Sequence, residues 1–453
     1  MKKKKLIKRA ILTILLLFIG IATYNYPKLN IISGYAAKNM ASSVFMAARS
    51  QQSIEENDNN VPLIKLAKTS VYPEQHKASA TVFGLMKRQA NYREGLGCVL
   101  VNDDYVADAT YLTPQRFHLA SDLPFPYGSG PAKDSVFANI DYNLLHKTID
   151  KAFSQPDVQK TRTVLIAYKD HIIAENYLEG FTKDTPILGW SMTKSVLATC
   201  YGILEYQKRL NVKTYKPFVI HKLDEDSGSD SKKEITLNHL LRMQSGLEWD
   251  EDYSRISDVT RMLFLDEDMT IGQGKKPMIG APGEIWNYSS GTSNFLSGIL
   301  RKEFKTYQEY LDFPYGELID KIGMNSMLIE ADMSGNYVGS SYGWASTRDW
   351  AKFGLLYLHK GDWNGNRIFA PEWVDYVSKP TALSDGTYGA HFWLNAEGKY
   401  PGVPKDLFSA NGYQGQYVFI IPSKDLVIVR TGLAEPPDFD LNAFLKGIVD
   451  AID

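Results

Sequence analysis

Two pairs of apolar segments, one near residue 165 and one near the C-terminus, limit the possible folds of this chain most tightly. Thr163–Tyr168, a Lys169-Asp170 turn and His171–Tyr177 predict one β-hairpin; Gln416–Ile421, a turn at Pro422–Asp425 and Leu426–Thr431 predict a second. Between them the apolar period becomes helical. Met192, Val196, Leu197, Cys200, Ile203 and Leu204 share one face of a helix beginning near Ser191. After the second hairpin, Leu441, Phe444, Leu445, Ile448, Val449 and Ile452 form another such face. Hairpins at both ends of a helical stretch predict an α+β architecture, an antiparallel sheet flanked by helices.

The chain has 453 residues, more than one hydrophobic core usually serves, about 250–300 residues. One large domain and a smaller module are therefore expected. A turn-rich segment at residues 123–131 predicts the boundary, with a small N-terminal module over 61–130 and the main domain over 131–453. The polar stretch Gln51–Asn60 makes residues 27–60 a stalk or linker. At the very start, Lys2, Lys3, Lys4, Lys5, Lys8 and Arg9 precede an uncharged apolar run, Ala10–Thr23. Extended to Tyr26, that run would span about 26 Å as a helix, against a hydrocarbon core of about 30 Å. Residues 1–26 therefore read as a signal anchor or a signal peptide. The basic end predicts an N-terminus in the cytoplasm and a body outside it. No small-x-small cleavage site follows the run, which favours the anchor.

The net charge is −2, with no basic block beyond the N-terminus, so a nucleic-acid partner is not expected. The histidines are scattered, without H-E-x-x-H or paired Cys/His spacing, and no nucleotide-binding glycine motif occurs. Neither metal nor cofactor is expected. Cys98 and Cys200 could pair in an exported protein, but Cys200 lies on an apolar helical stripe, which favours a buried free thiol.

The candidate chemistry begins at Gly189-Trp190-Ser191-Met192-Thr193-Lys194. An S-x-x-K at a helix start brings the lysine amine within reach of the serine hydroxyl. Serine needs a base beside it, and lysine can serve if burial lowers its pKa from about 10.4 toward 7. The bland alternative is a helix-capping serine with an exposed lysine. Downstream, Trp286-Asn287-Tyr288-Ser289-Ser290 follows a Pro-Gly turn, and Asn411-Gly412-Tyr413-Gln414-Gly415-Gln416 runs into the last hairpin. Glycines there suit close approach of a strand edge to a substrate, or an ordinary bulge.

The ordered trio S-x-x-K, Y-x-[N/S] and a glycine-containing strand motif resembles the serine hydrolases of the class C β-lactamase and penicillin-recognising superfamily. The resemblance runs from near Asp134 to the end, and the Tyr-Ser-Ser variant is similar to the 6-aminohexanoate-dimer (nylon oligomer) hydrolase branch. It implies a β-lactamase/transpeptidase-like fold with an all-helical subdomain, and a bacterial envelope enzyme acting on small or peptide-like amides and esters. It also implies roles: Ser191 as acylated nucleophile, Lys194 as proton acceptor and Tyr288 as partner base and then acid. Ser290 would orient Lys194 or the leaving group, and Gly415 and Gln416 would form the oxyanion strand, with the Gln416 N–H joining that of Ser191. Trp190, Tyr413 and Gln414 would line the substrate site. Ser290 stands where lactamases have Asn, and Tyr413 where they have Lys. Loss of that cation removes the anchor for a substrate carboxylate and favours neutral amides or esters.

Two other readings compete. In an α/β-hydrolase, Gly189-Trp190-Ser191 would open a nucleophile elbow, although Thr193 stands at the position of its last glycine. In a membrane-anchored receptor of cell-wall fragments, the same fold would bind or acylate once without turnover.

Overall fold

The structure is a computed structural model and describes residues 2–102, 105, 111–118, 122–128, 130, 135–223 and 230–452. Residues 129 and 131–134, which include part of the expected boundary and the expected start of the main domain, lie outside the described residues.

The chain opens with helix α1, Lys2–Phe45. Four short strands follow, β1 Ala67–Tyr72, β2 Lys77–Val82, β3 Leu85–Arg93 and β4 Gly97–Val101, each antiparallel to the next. The expected stalk is not a free connector. Within residues 31–43, Ala36, Ala37, Met40 and Ala41 are fully buried, against Ala78, Ala80 and Ala90 of the small sheet. Alanines on both surfaces let helix and sheet approach closely, and the same core takes in Trp190, Trp249, Val338 and Tyr342 of the main domain. Lys38 on α1 forms a buried 2.6 Å ion pair with Glu330. The Glu330 carboxylate also accepts from Ser42, from the Cys98 backbone N–H and from Trp344 Nε1. The residues expected to form a separate module thus share a core with the main domain. Among the described residues no helix is long and apolar enough to cross a membrane, so the expected anchor gains no support here.

The two predicted hairpins lie side by side in one sheet. Helix α2, Tyr142–Phe153, precedes β5, Thr161–Tyr168, and β6, His171–Tyr177. Then come α3, Met192–Tyr206; α4, Asp258–Leu265; α5, Ser290–Lys302; and α6, Thr347–Leu358. The chain ends with β7, Trp393–Leu394; β8, Phe408–Gly412; β9, Gln416–Ile421; β10, Leu426–Gly432; and α7, Leu441–Asp450. The sheet order is β7-β8-β9-β10-β5-β6, antiparallel throughout, with Leu426 opposite Tyr168 at the seam between the hairpins.

Side-chain alternation divides the sheet's two faces. Leu165, Ala167, Val418, Ile420, Val427 and Val429 pack on the side of α3 and α6, whereas Val164, Ile166, Phe419 and Ile428 pack against α2 and α7. Burying each large aliphatic side chain contributes about 1.5–3 kcal/mol. With both faces covered, the central strands read as continuous apolar runs.

This topology removes the α/β-hydrolase reading. The residues before Ser191, Ile187–Leu188, pair antiparallel with Gly343–Ala345 on a small separate sheet, so no central parallel strand leads into an elbow. Both cysteines are free and buried.

Candidate active site

Helix α3 begins directly after Ser191, whose side chain makes no capping bond. The hydroxyl is therefore free for chemistry, unlike that of an ordinary capping serine. Lys194 is 1% exposed, which rules out the solvated-lysine alternative. Its Nζ lies 2.8 Å from Ser191 Oγ, 2.9 Å from Ser290 Oγ and 2.9 Å from the Ser340 carbonyl oxygen. Burial lowers its pKa from 10.5 to about 8, and the nearby Glu251 charge opposes that fall.

Tyr288 reaches the same point from the loop before α5. It borders the same cleft as Ser191, and the Lys194 amine sits 5.1 Å from its ring centroid. Burial first, and Glu251 second, push the phenol above its ordinary range. Capping of α5 falls to Ser289, which accepts from the Thr292 N–H at 2.8 Å. Ser290, one residue on, is thereby free to face Lys194.

The strand motif divides between two cavities. Tyr413 borders a cleft of about 450 Å³ with Ser191, Tyr288, Asn411 and Gly412. Trp190, Gln414 and Gln416 line a different, much smaller cavity together with Tyr35 and Arg162. The Gln416 side chain braces its own turn, donating to the carbonyls of Tyr413, Gln414 and Gly432. A Cβ on Gly412 would stand 2.1 Å from the Gly189 carbonyl, so the strand end packs directly on the loop before Ser191. Gly415 has φ +84°, and a Cβ there would meet the Ala434 carbonyl and Arg430 at 2.2 Å, so this glycine shapes the turn.

Trp190 adopts φ +47°, a left-handed conformation that costs roughly 1–2 kcal/mol in a non-glycine residue. Rings of Tyr35, Tyr253, Tyr342 and Tyr413 surround its indole. The N-terminal helix thus helps to hold the residue before Ser191.

Sequence reasoning missed Glu251, Tyr253, Lys399 and Glu435, all on the cleft that Trp393 also borders. Glu251 and Tyr253 lie in Trp249-Asp250-Glu251-Asp252-Tyr253, an acidic stretch that reads locally as a solvated turn. Alternation with aromatics was the only signal. His391 is structural: its ring nitrogens engage the Leu241 carbonyl and Ser293, and burial lowers its pKa to about 3. Among the described residues no cluster of His, Cys, Asp or Glu is arranged to hold a metal ion.

An antiparallel sheet with a free serine hydroxyl and a buried lysine at the head of a helix defines a serine hydrolase. Residues 151–446 match the beta-lactamase family model, and the chain belongs to that family. The 6-aminohexanoate-dimer hydrolase of Paenarthrobacter ureafaciens is 24% identical over 314 residues, covering 61% of this chain and 74% of that protein. A penicillin-binding protein homologue from Caulobacter crescentus shares the fold at a TM-score of 0.56 and 13% identity, over 71% of this chain and 100% of that one. A family VIII carboxylesterase does so at a TM-score of 0.55 and 14% identity, with the same two coverages.

Proposed function

We propose that this protein is an exported hydrolase that cleaves neutral amide or ester bonds through an acyl-enzyme, with Ser191 as nucleophile, Lys194 as base and Tyr288 as acid. One observation carries the proposal: a buried amine 2.8 Å from a serine hydroxyl that caps nothing. Ser191 Oγ attacks the substrate carbonyl carbon while its proton passes to Lys194. The tetrahedral oxyanion then collapses, breaking the C–N or C–O bond. Tyr288 protonates the leaving group and recovers its proton from Lys194. Water repeats the sequence to release the acid. A raised pKa keeps Tyr288 a phenol, which suits the donor role and leaves the initial base role to Lys194. The oxyanion donors are the backbone N–H groups of Ser191 and Tyr413. Tyr413 replaces Gln416 in this role because it borders the cleft, whereas Gln416 lines the smaller cavity.

Glu251 and Glu435 line the cleft with Lys399, and the buried Lys194 stands beside Ser191. These charges balance, so the cleft has no net positive field to draw in penicillin-like acids or peptides ending in a carboxylate, which supports neutral substrates. An exported location rests on Lys2–Arg9 ahead of the apolar run, and fractionation of the native chain with protease accessibility checks it. The activity test screens p-nitrophenyl esters, linear amides, D-amino-acid amides and nitrocefin, with Ser191→Ala as control. Many products per protein molecule are expected on esters or amides and little on nitrocefin. A single product per molecule would mark a receptor instead, and equal activity in the control would remove Ser191.

A further inference from the structure

Lys194 has three neighbours for a nitrogen that, when neutral, has two N–H bonds and one lone pair. The Ser340 carbonyl can only accept, so it takes one N–H. Which group the lone pair faces then depends on Ser290. A serine hydroxyl has one proton to donate, and the Ser290 Oγ donates it to Glu251 in a short contact. Its oxygen is left as an acceptor for Lys194. The second Lys194 N–H is thereby used, and the lone pair remains for the Ser191 hydroxyl.

Glu251 is rigidly held for this task. Its other oxygen accepts from the Ser290 backbone N–H at 2.8 Å and from Trp249 Nε1 at 2.5 Å. The backbone N–H lies in the first turn of α5, where a negative charge is favoured. We propose that Glu251 is a positioning residue which, by fixing the Ser290 hydroxyl as an acceptor, aims the Lys194 lone pair at Ser191. The inference rests on the Ser-Lys-Tyr reading above. The other titratable groups around Lys194 are Tyr288 and Tyr253, both held as phenols by burial, and His391, held neutral by burial. Glu251 is the anion whose charge raises the Lys194 pKa.

Glu251→Gln separates orientation from charge. The new amide can donate to Ser290, turning that hydroxyl toward Lys194, where it competes for the lone pair. Loss of the anion also stabilises the neutral amine. The experiment measures the rate of Ser191 labelling by a fluorophosphonate, in the full chain, from about pH 6 to about pH 10. Glu251→Gln should lower the high-pH plateau by at least about tenfold, while the acid limb moves to lower pH. Ser290→Ala, a smaller change at a buried position, should lower the plateau comparably without moving the limb down. The double variant should be no slower than the slower single variant, because the pair acts as one unit. A wild-type plateau in Glu251→Gln, or losses that multiply in the double variant, would overturn the proposal. Loss of rate in Glu251→Gln with no movement of the limb would reduce Glu251 to a structural role and overturn it too. Absence of Ser191 labelling in the wild-type chain would instead overturn the hydrolase reading itself.

Discussion

Burial of Lys194 controls when the site can work. Its pKa of about 8 reflects the penalty on a buried ammonium, and the base is the neutral form. Activity should therefore rise with pH through that value, with about a tenth of molecules competent near pH 7 and about nine-tenths near pH 9. A kcat/KM profile flat across that interval would contradict Lys194 as the base. Lys194→Met keeps the bulk and removes the base, and should cut acylation by about 10²–10⁴-fold while the far-ultraviolet circular dichroism stays unchanged. The bland reading of Ser191, a capping residue, predicts the opposite pattern: loss of stability with little effect on hydrolysis.

Among the elements, α1 has the unexpected role. Its buried Lys38 pairs with Glu330, and three further donors converge on the same carboxylate. Lys38→Met leaves that carboxylate buried without its counter-ion, at a cost of about 3–5 kcal/mol, readable as a lower midpoint in urea unfolding. The tip of β8 matters for another reason. Gly412→Ala places a methyl 2.1 Å from the Gly189 carbonyl and should displace the loop carrying Ser191. Hydrolysis should fall by at least about tenfold, because near-attack geometry tolerates little displacement, and the unfolding midpoint should fall with it because the atom met is backbone.

Taken as a whole, the molecule does not divide where its composition changes. The N-terminal sheet, α1 and the main domain share one core through Tyr35, Trp190, Trp249 and Tyr342. A chain begun at residue 135 would leave that surface uncovered and should aggregate or unfold, whereas two independent domains would yield an active soluble fragment. Expression of the fragment followed by size-exclusion chromatography distinguishes the two outcomes.

Local pattern determined the two hairpins, α3, α7 and the Ser191–Lys194 pair, because strand alternation, helical period and an i, i+3 spacing are properties of neighbouring residues. Tyr288 and Ser290 were legible only through their order along the chain. The packed stretch of α1 was not legible as core, since Ala36, Ala37 and Ala41 carry little hydropathic signal and their burial depends on a facing surface equally rich in alanine. Nor could local sequence separate Tyr413 from Gln416, since which cavity each borders depends on how the turn packs. Glu251 is the sharpest case. An acid between aromatics looks solvated until a helix 39 positions later in sequence presents Ser290 to it, and a hydrogen bond across that distance belongs to the folded chain alone.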